Sequence, residues 1–495
     1  MKSSAAIASA ASLIGSAAAA SRVPLQFDIA EVDLSSLQKR SVDSGPLEVS
    51  PHVLELSRVA GTSPAQTWIQ SIRNGAGENG LYKTGHVTNM TDLNGFEYIA
   101  SILFGDETLQ VIVDSGSSDT WAVQKDFICQ DSDGTRLNDV TLVIRANLHW
   151  DELTWSLREQ TSLCDFGPTY NGTFQHGSIS GVHFNITYGD GEFATGLMGY
   201  QDITLAGLEV PHQEVALVNK SYWNGDNVAS GLLGLAYDLL TSEYDDATGA
   251  SKPYDSIFTT MSKKGIIKPD LFSMAMDSKS QTGQLAFGGL PPVKTKGEFI
   301  STPIRMIALS SRMPKAKTEY SFYTILPDGF VIKNVTMAPT TNETLASSKW
   351  NTAVSKPAGF HNSSTPTIVD SGTTLMYVPS ALVNDGWLIC SDISDAFAAA
   401  IPGSFYNSLS GAYYAPCNAK VPEFGVVING HTFYADKSDL IQTSDPVDNG
   451  DGTFVCQLGV SDGGEGPYIL GDTMMNSMVT VFDVGAGMMR FVSRK

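Results

Sequence analysis

One four-residue pattern occurs twice in this chain, as Asp114-Ser115-Gly116-Ser117 and as Asp370-Ser371-Gly372-Thr373. Each copy ends an apolar run, Val111-Ile112-Val113 in the first and Thr367-Ile368-Val369 in the second. At average residue frequencies a single Asp-Ser/Thr-Gly-Ser/Thr match arises by chance in roughly one chain in twenty. Two matches in the same context mark a duplicated structural unit. A hydrophobic strand that runs into a glycine-containing loop places its Asp at the end of a rigid element. Two such elements related by a pseudo-dyad bring two carboxyls together, and paired carboxyls are acid–base machinery.

Other sequences follow in order: Trp121 after the first motif, then Ile186-Thr187-Tyr188-Gly189-Asp190-Gly191. Gly231-Leu232-Leu233-Gly234 and Tyr468-Ile469-Leu470-Gly471 are apolar strands ending in glycine, and Phe287-Gly288-Gly289 and Val481-Phe482-Asp483 lie further along. On these residues the chain resembles the pepsin-like aspartic proteases, and in its details the secreted enzymes of filamentous fungi. The likeness runs from about Asn94 to Phe491. It implies an all-β, bilobal fold, with two pseudo-symmetric β lobes, a few short helices and a central cleft. The expected plan is a signal peptide at 1–20 and a propeptide at 21–84. An N-terminal lobe with Asp114 and a flap covers 85–292, and a C-terminal lobe with Asp370 covers 293–495.

The resemblance also implies roles. Asp114 and Asp370 share one proton at acid pH and act as base and acid on a single water, as paired carboxyls in aspartic proteases are known to do. Ser117 and Thr373 hydrogen-bond the outer carboxylate oxygens, while Gly116 and Gly372 let the backbone come close enough to donate its N–H groups. Tyr188 sits on the flap over the substrate with its hydroxyl on Trp121. Gly189 is a flap-turn residue, and Asp190 favours basic side chains in the adjoining pocket. By resemblance Cys129–Cys164 and Cys417–Cys456 are disulfides, which leaves Cys390 as a free thiol. The alternative reading is a catalytically inactive binding or inhibitor protein on the same fold. Relatives of that kind lose an Asp or alter the flap, whereas both Asp, Ser117, Thr373 and Tyr188 are present here.

Composition narrows the partners. A net charge of −21, from 31 basic and 52 acidic residues, argues against nucleic acid and anionic membranes. It suits a protein working in acid, where protonation relieves self-repulsion, and it suits simple solubility equally well. Protein and peptide substrates are therefore expected, with no nucleic acid, no membrane anchor, no cofactor and a monomeric state. No metal is expected, because Cys-x-x-Cys and His-Glu-x-x-His spacings are both missing. Met1-Lys2 and the Ala-rich run to Ala20 read as a secretory signal, too short for a membrane span. Sequons at Asn89, Asn171, Asn185, Asn219, Asn334, Asn342 and Asn362 as a group fit secretion, with vacuolar retention as the other destination.

Lys39-Arg40 is a dibasic processing signal, and Arg58, Arg73 and Lys83 are basic groups of which one could neutralise the aspartates. A solubilising linker is the other reading of this stretch. Alternating apolar runs at Tyr98–Phe104, Leu109–Val113, Phe184–Tyr188 and Val215–Val218 predict strands. Helices are predicted over Ser256–Lys264, stopped by Gly265, and over Ser391–Ile401, stopped by Pro402-Gly403. The lobe boundary is placed near Pro291-Pro292. Val140–Trp155 and Asn384–Cys390 depart from the family pattern, either as surface insertions or as translated introns.

Overall fold

The structure, a computed structural model, describes residues 27–28, 47–61, 95–130, 164–188, 192–309, 319–333, 360–362, 365–379, 393–407, 412–443, 446–448, 453–463 and 467–495. These form a 14-stranded sheet, a 7-stranded sheet and two 4-stranded sheets, joined by short helices. The all-β expectation holds, and the four predicted strands are present. The first predicted helix is Ile257–Lys263, with the Ser256 hydroxyl accepting from Thr259 N–H at its start. The second is Ile393–Ala399, shorter than its predicted span.

The duplication seen in the motif recurs in the topology. Strand Glu107–Asp114 runs parallel to Gly231–Gly234, with Ile112 beside Leu232, and Thr120–Cys129 lies antiparallel on the other side, with Trp121 beside Leu232. Strand Thr367–Val369 runs parallel to Tyr468–Leu470, with Ile368 beside Ile469, and Met376–Val378 returns antiparallel, with Tyr377 beside the same Ile469. Central strands of this kind are covered on both faces, which is why apolar residues run unbroken through Val111–Val113, Leu232–Leu233, Ile368–Val369 and Ile469–Leu470. Val111, Val113 and Val369 join one large core. Ile112, Leu232 and Trp121 point the other way into a second cluster, and Ile368, Ile469 and Tyr377 do the same in the second lobe. The side-chain parity that aims each Asp is therefore set by the two residues before it.

Residues expected to lie in a removable segment take part in the largest sheet. Strand Val53–Gly61 pairs with Gly95–Phe104 on one side and with Thr282–Phe287 on the other. Leu54, Leu56 and Arg58 face inward. The Arg58 guanidinium lies 3.6 Å from the centre of the Phe96 ring, a favourable cation–π arrangement. Burial pushes the Asp472 carboxyl well above its usual range, and the Arg58 charge only partly opposes that. Both expected disulfides are formed, Cys129–Cys164 and Cys417–Cys456. Cys390 and the stretches 140–155 and 384–390 lie outside the described residues. Among the described residues no helix is long and apolar enough to cross a membrane.

Candidate active site

The two motifs meet. Asp114 accepts from Gly116 N–H through Oδ1 at 2.6 Å and from the Ser117 hydroxyl through Oδ2 at 2.5 Å. Asp370 repeats the set, with Gly372 N–H on Oδ1 at 2.9 Å and the Thr373 hydroxyl on Oδ2 at 2.7 Å. Both carboxyls are buried, at 6% and 4% exposure, and the charge of Asp114 acts directly on Asp370. Each glycine also faces the opposite motif. A Cβ on Gly116 would lie 2.6 Å from both Asp370 carboxylate oxygens, and one on Gly372 would lie 2.5 Å from Asp114 Oδ1. No side chain fits in those gaps, so glycine here is required by the approach of the other lobe as well as by its N–H.

A reciprocal clamp that the sequence did not reveal lies one residue after each Asp. Ser115 N–H donates to Ser371 Oγ at 3.1 Å, and Ser371 N–H donates to Ser115 Oγ at 3.0 Å. The two hydroxyls then donate across to Val369 O and Val113 O. Buried bonds of this kind contribute about 1 kcal/mol each and leave costly orphans when one partner is removed. The only sequence signal for them was the identity of Ser115 and Ser371 at matching positions. Phe96 N–H and Thr374 Oγ1, and Tyr98 and Asn476, tie the same junction further out.

Strands Val182–Thr187 and Phe193–Leu205 form the predicted hairpin, closed by Tyr188 N–H on Glu192 O at 2.8 Å. Trp121 Nε1–H donates to the Tyr188 hydroxyl at 2.8 Å, as expected. Both rings pack edge-to-face on Trp223, with centroids 5.3 and 5.4 Å away. Gly189 and Asp190, the other two flap residues, lie outside the described residues.

Electrostatics at the pair follow from its surroundings. Burial first, and then the charge of Asp114, pushes the Asp370 carboxyl well above the usual range, against the bonds from Thr373 and Gly372. Burial likewise raises Glu97 and Asp472. A carboxyl that holds its proton more tightly in the native chain contributes stability fully below its unfolded pKa, about 4, and loses it as pH rises through the native value. In Asp277 and Asp436 burial is outweighed by hydrogen bonds and by nearby Arg494 and Lys279, so their support is lost only as pH falls further. Thermal stability should therefore peak in mild acid and fall towards neutral pH. Calorimetry across that range checks this, and a Tm that climbs steadily to neutrality would contradict it.

Comparison with known proteins gives a consistent picture. A family model described as eukaryotic aspartyl protease matches residues 97–493. A probable aspartic-type endopeptidase of Aspergillus fumigatus is 33% identical over 451 residues, covering 90% of this chain and 88% of that protein. Penicillopepsin-3 of Penicillium janthinellum is 24% identical over 478 residues, covering 94% and 98%. Among solved structures, the aspartic proteinase from Irpex lacteus aligns with a TM-score of 0.52 at 17% identity, covering 89% of this chain and 98% of that one. This last likeness concerns the fold alone.

Proposed function

The chain belongs to the eukaryotic aspartyl protease family and is an aspartic protease, and on that footing we propose that it is a secreted or vacuolar endopeptidase that cleaves peptide bonds in acid, with Asp114 and Asp370 activating one water. The observation that carries this reading is the reciprocity of the two motifs. Matching hydrogen-bond sets hold two buried carboxyls, and each motif's glycine makes room for the other's carboxyl. Asp370, which burial drives towards its protonated form, starts with the shared proton and passes it to the scissile carbonyl oxygen. Asp114 takes a proton from the water as its oxygen attacks the carbonyl carbon. The roles reverse when the tetrahedral intermediate collapses and the leaving amine needs a proton. No covalent acyl-enzyme forms.

Tyr188 is assigned the cover over an extended peptide, and its hydroxyl is oriented by Trp121. Residues 21–84 are proposed as the propeptide, with lobes at 85–292 and 293–495. Haemoglobin digestion by the processed protein tests the function. It should be fastest at about pH 3–4, between the two apparent pKa values known for such carboxyl pairs, and pepstatin should block it. Digestion that pepstatin leaves untouched, or that runs best at neutral pH, would overturn the assignment.

A further inference from the structure

A second constellation lies outside the Asp pair and shares no residue with it. Strand Phe193–Leu205 pairs with Leu208–Tyr222 so that Gln201 faces Gln213 and Ile203 faces Val210. Asp202 therefore stands opposite two residues, Pro211 and His212, in a β-bulge. The bulge holds His212 in the left-handed region at φ 53°, where non-glycine residues sit at some energetic cost. Its backbone N–H donates to Asp202 Oδ1 at 2.8 Å. A separate loop supplies His176, anchored by its own N–H on Tyr200 O. His176 Nε2 lies 2.7 Å from the same Asp202 Oδ1, and His212 Nδ1 lies 3.9 Å from it. One potential ligand atom from each of the three residues lies within 4.8 Å of the other two.

We propose that His176, Asp202 and His212 form a binding site for a divalent transition-metal ion, with Zn²⁺ the best match. An ordinary ion pair needs one histidine on the carboxylate. The second, carried there by a strained backbone, stands 3.9 Å from the same oxygen, so one carboxylate oxygen faces two imidazoles at once. Two imidazoles and a carboxylate are a donor set suited to zinc, copper or nickel rather than to calcium or magnesium. Ligand atoms about 2 Å from a tetrahedral ion stand about 3.3 Å apart, and the two measured separations from Asp202 Oδ1 bracket that value. Side-chain exposures of 27%, 31% and 62% leave a fourth position open to water.

The rings are now stacked, with centroids 3.6 Å and planes 18° apart. A shared ion requires them to turn edge-on, and the exposed His212 ring has room to do so. Positions 176, 202 and 212 follow no ligand spacing, so the sequence carried no sign of this site.

Titration calorimetry on the full chain near neutral pH tests the proposal, with ZnCl₂ against MgCl₂ and CaCl₂. One Zn²⁺ per chain should bind saturably, with no uptake of Mg²⁺ or Ca²⁺. His176→Asn and His212→Asn should each weaken Zn²⁺ binding on the order of 10- to 100-fold. Asn tolerates the left-handed backbone at 212, and the His176–Asp202 pair is partly exposed and so contributes little to stability. The Tm in EDTA should therefore stay close to the parent value in both variants, and Zn²⁺ should raise the parent's Tm but not theirs. Absence of saturable Zn²⁺ uptake, or uptake that the His176→Asn/His212→Asn double variant leaves unchanged, overturns the site. Neither readout depends on proteolysis.

Discussion

Asp370→Asn should reduce peptide hydrolysis at acid pH on the order of 10⁴-fold or more while leaving a folded protein, and Asp114→Asn should do the same. General acid–base catalysis contributes about 10² to 10⁴ in rate, and here both halves of it pass through one shared proton. The substitution is nearly isosteric. The amide oxygen still accepts from Gly372 N–H, and the Thr373 hydroxyl can rotate to accept from the new NH₂. Because burial and the neighbouring charge disfavour the Asp370 anion, its neutral replacement should raise Tm at neutral pH more than in acid. Haemoglobin digestion and paired calorimetry read out both effects. Residual activity within tenfold of the parent would remove Asp370 from the chemistry.

A chain begun at Gly85 should fail to reach the stable fold that a chain begun at Ser41 attains. Cutting at Lys39-Arg40 spares Val53–Gly61, whereas cutting at residue 84 removes a strand paired on both sides. That loss uncovers the buried faces of Leu54 and Leu56, worth about 1.5–3 kcal/mol each. It also leaves the facing N–H and C=O groups of Phe96–Ala100 and Thr282–Ala286 without partners. Together these terms rival the roughly 5–15 kcal/mol that holds a native domain. Expression of the two chains, followed by size-exclusion chromatography and thermal unfolding, should give a cooperative monomer only for the longer one. A Gly85 start that is equally stable would show that another segment fills the gap. A propeptide cut near residue 84 is compatible with the expected result if the cleaved strand Val53–Gly61 stays seated between Gly95–Phe104 and Thr282–Phe287 after the folded chain is processed.

The sequence revealed most of the site because the site is built from local repeats. The residues from Val111 to Ser117 and from Thr367 to Thr373 each carry a strand, its parity, a carboxyl and the hydroxyl that holds it. The Trp121–Tyr188 bond was legible only through resemblance, since nothing in their spacing brings them together. The Ser115–Ser371 clamp depends on which backbone groups face each other once the lobes close, and that is a property of the assembled pair. Val53–Gly61 does alternate, but Arg58 falls on its inward face. From sequence an arginine there argues for a wet surface, whereas the Phe96 ring makes burial tolerable.

The hairpin's anchorage on Trp121 and Trp223 equips the molecule with a native optical probe. Those two are the described members of the chain's 7 tryptophans, and Tyr188 abuts both. Any lifting of the hairpin breaks the Nε1–H bond and admits solvent to the indoles, so intrinsic emission colour follows opening and closing with no label attached.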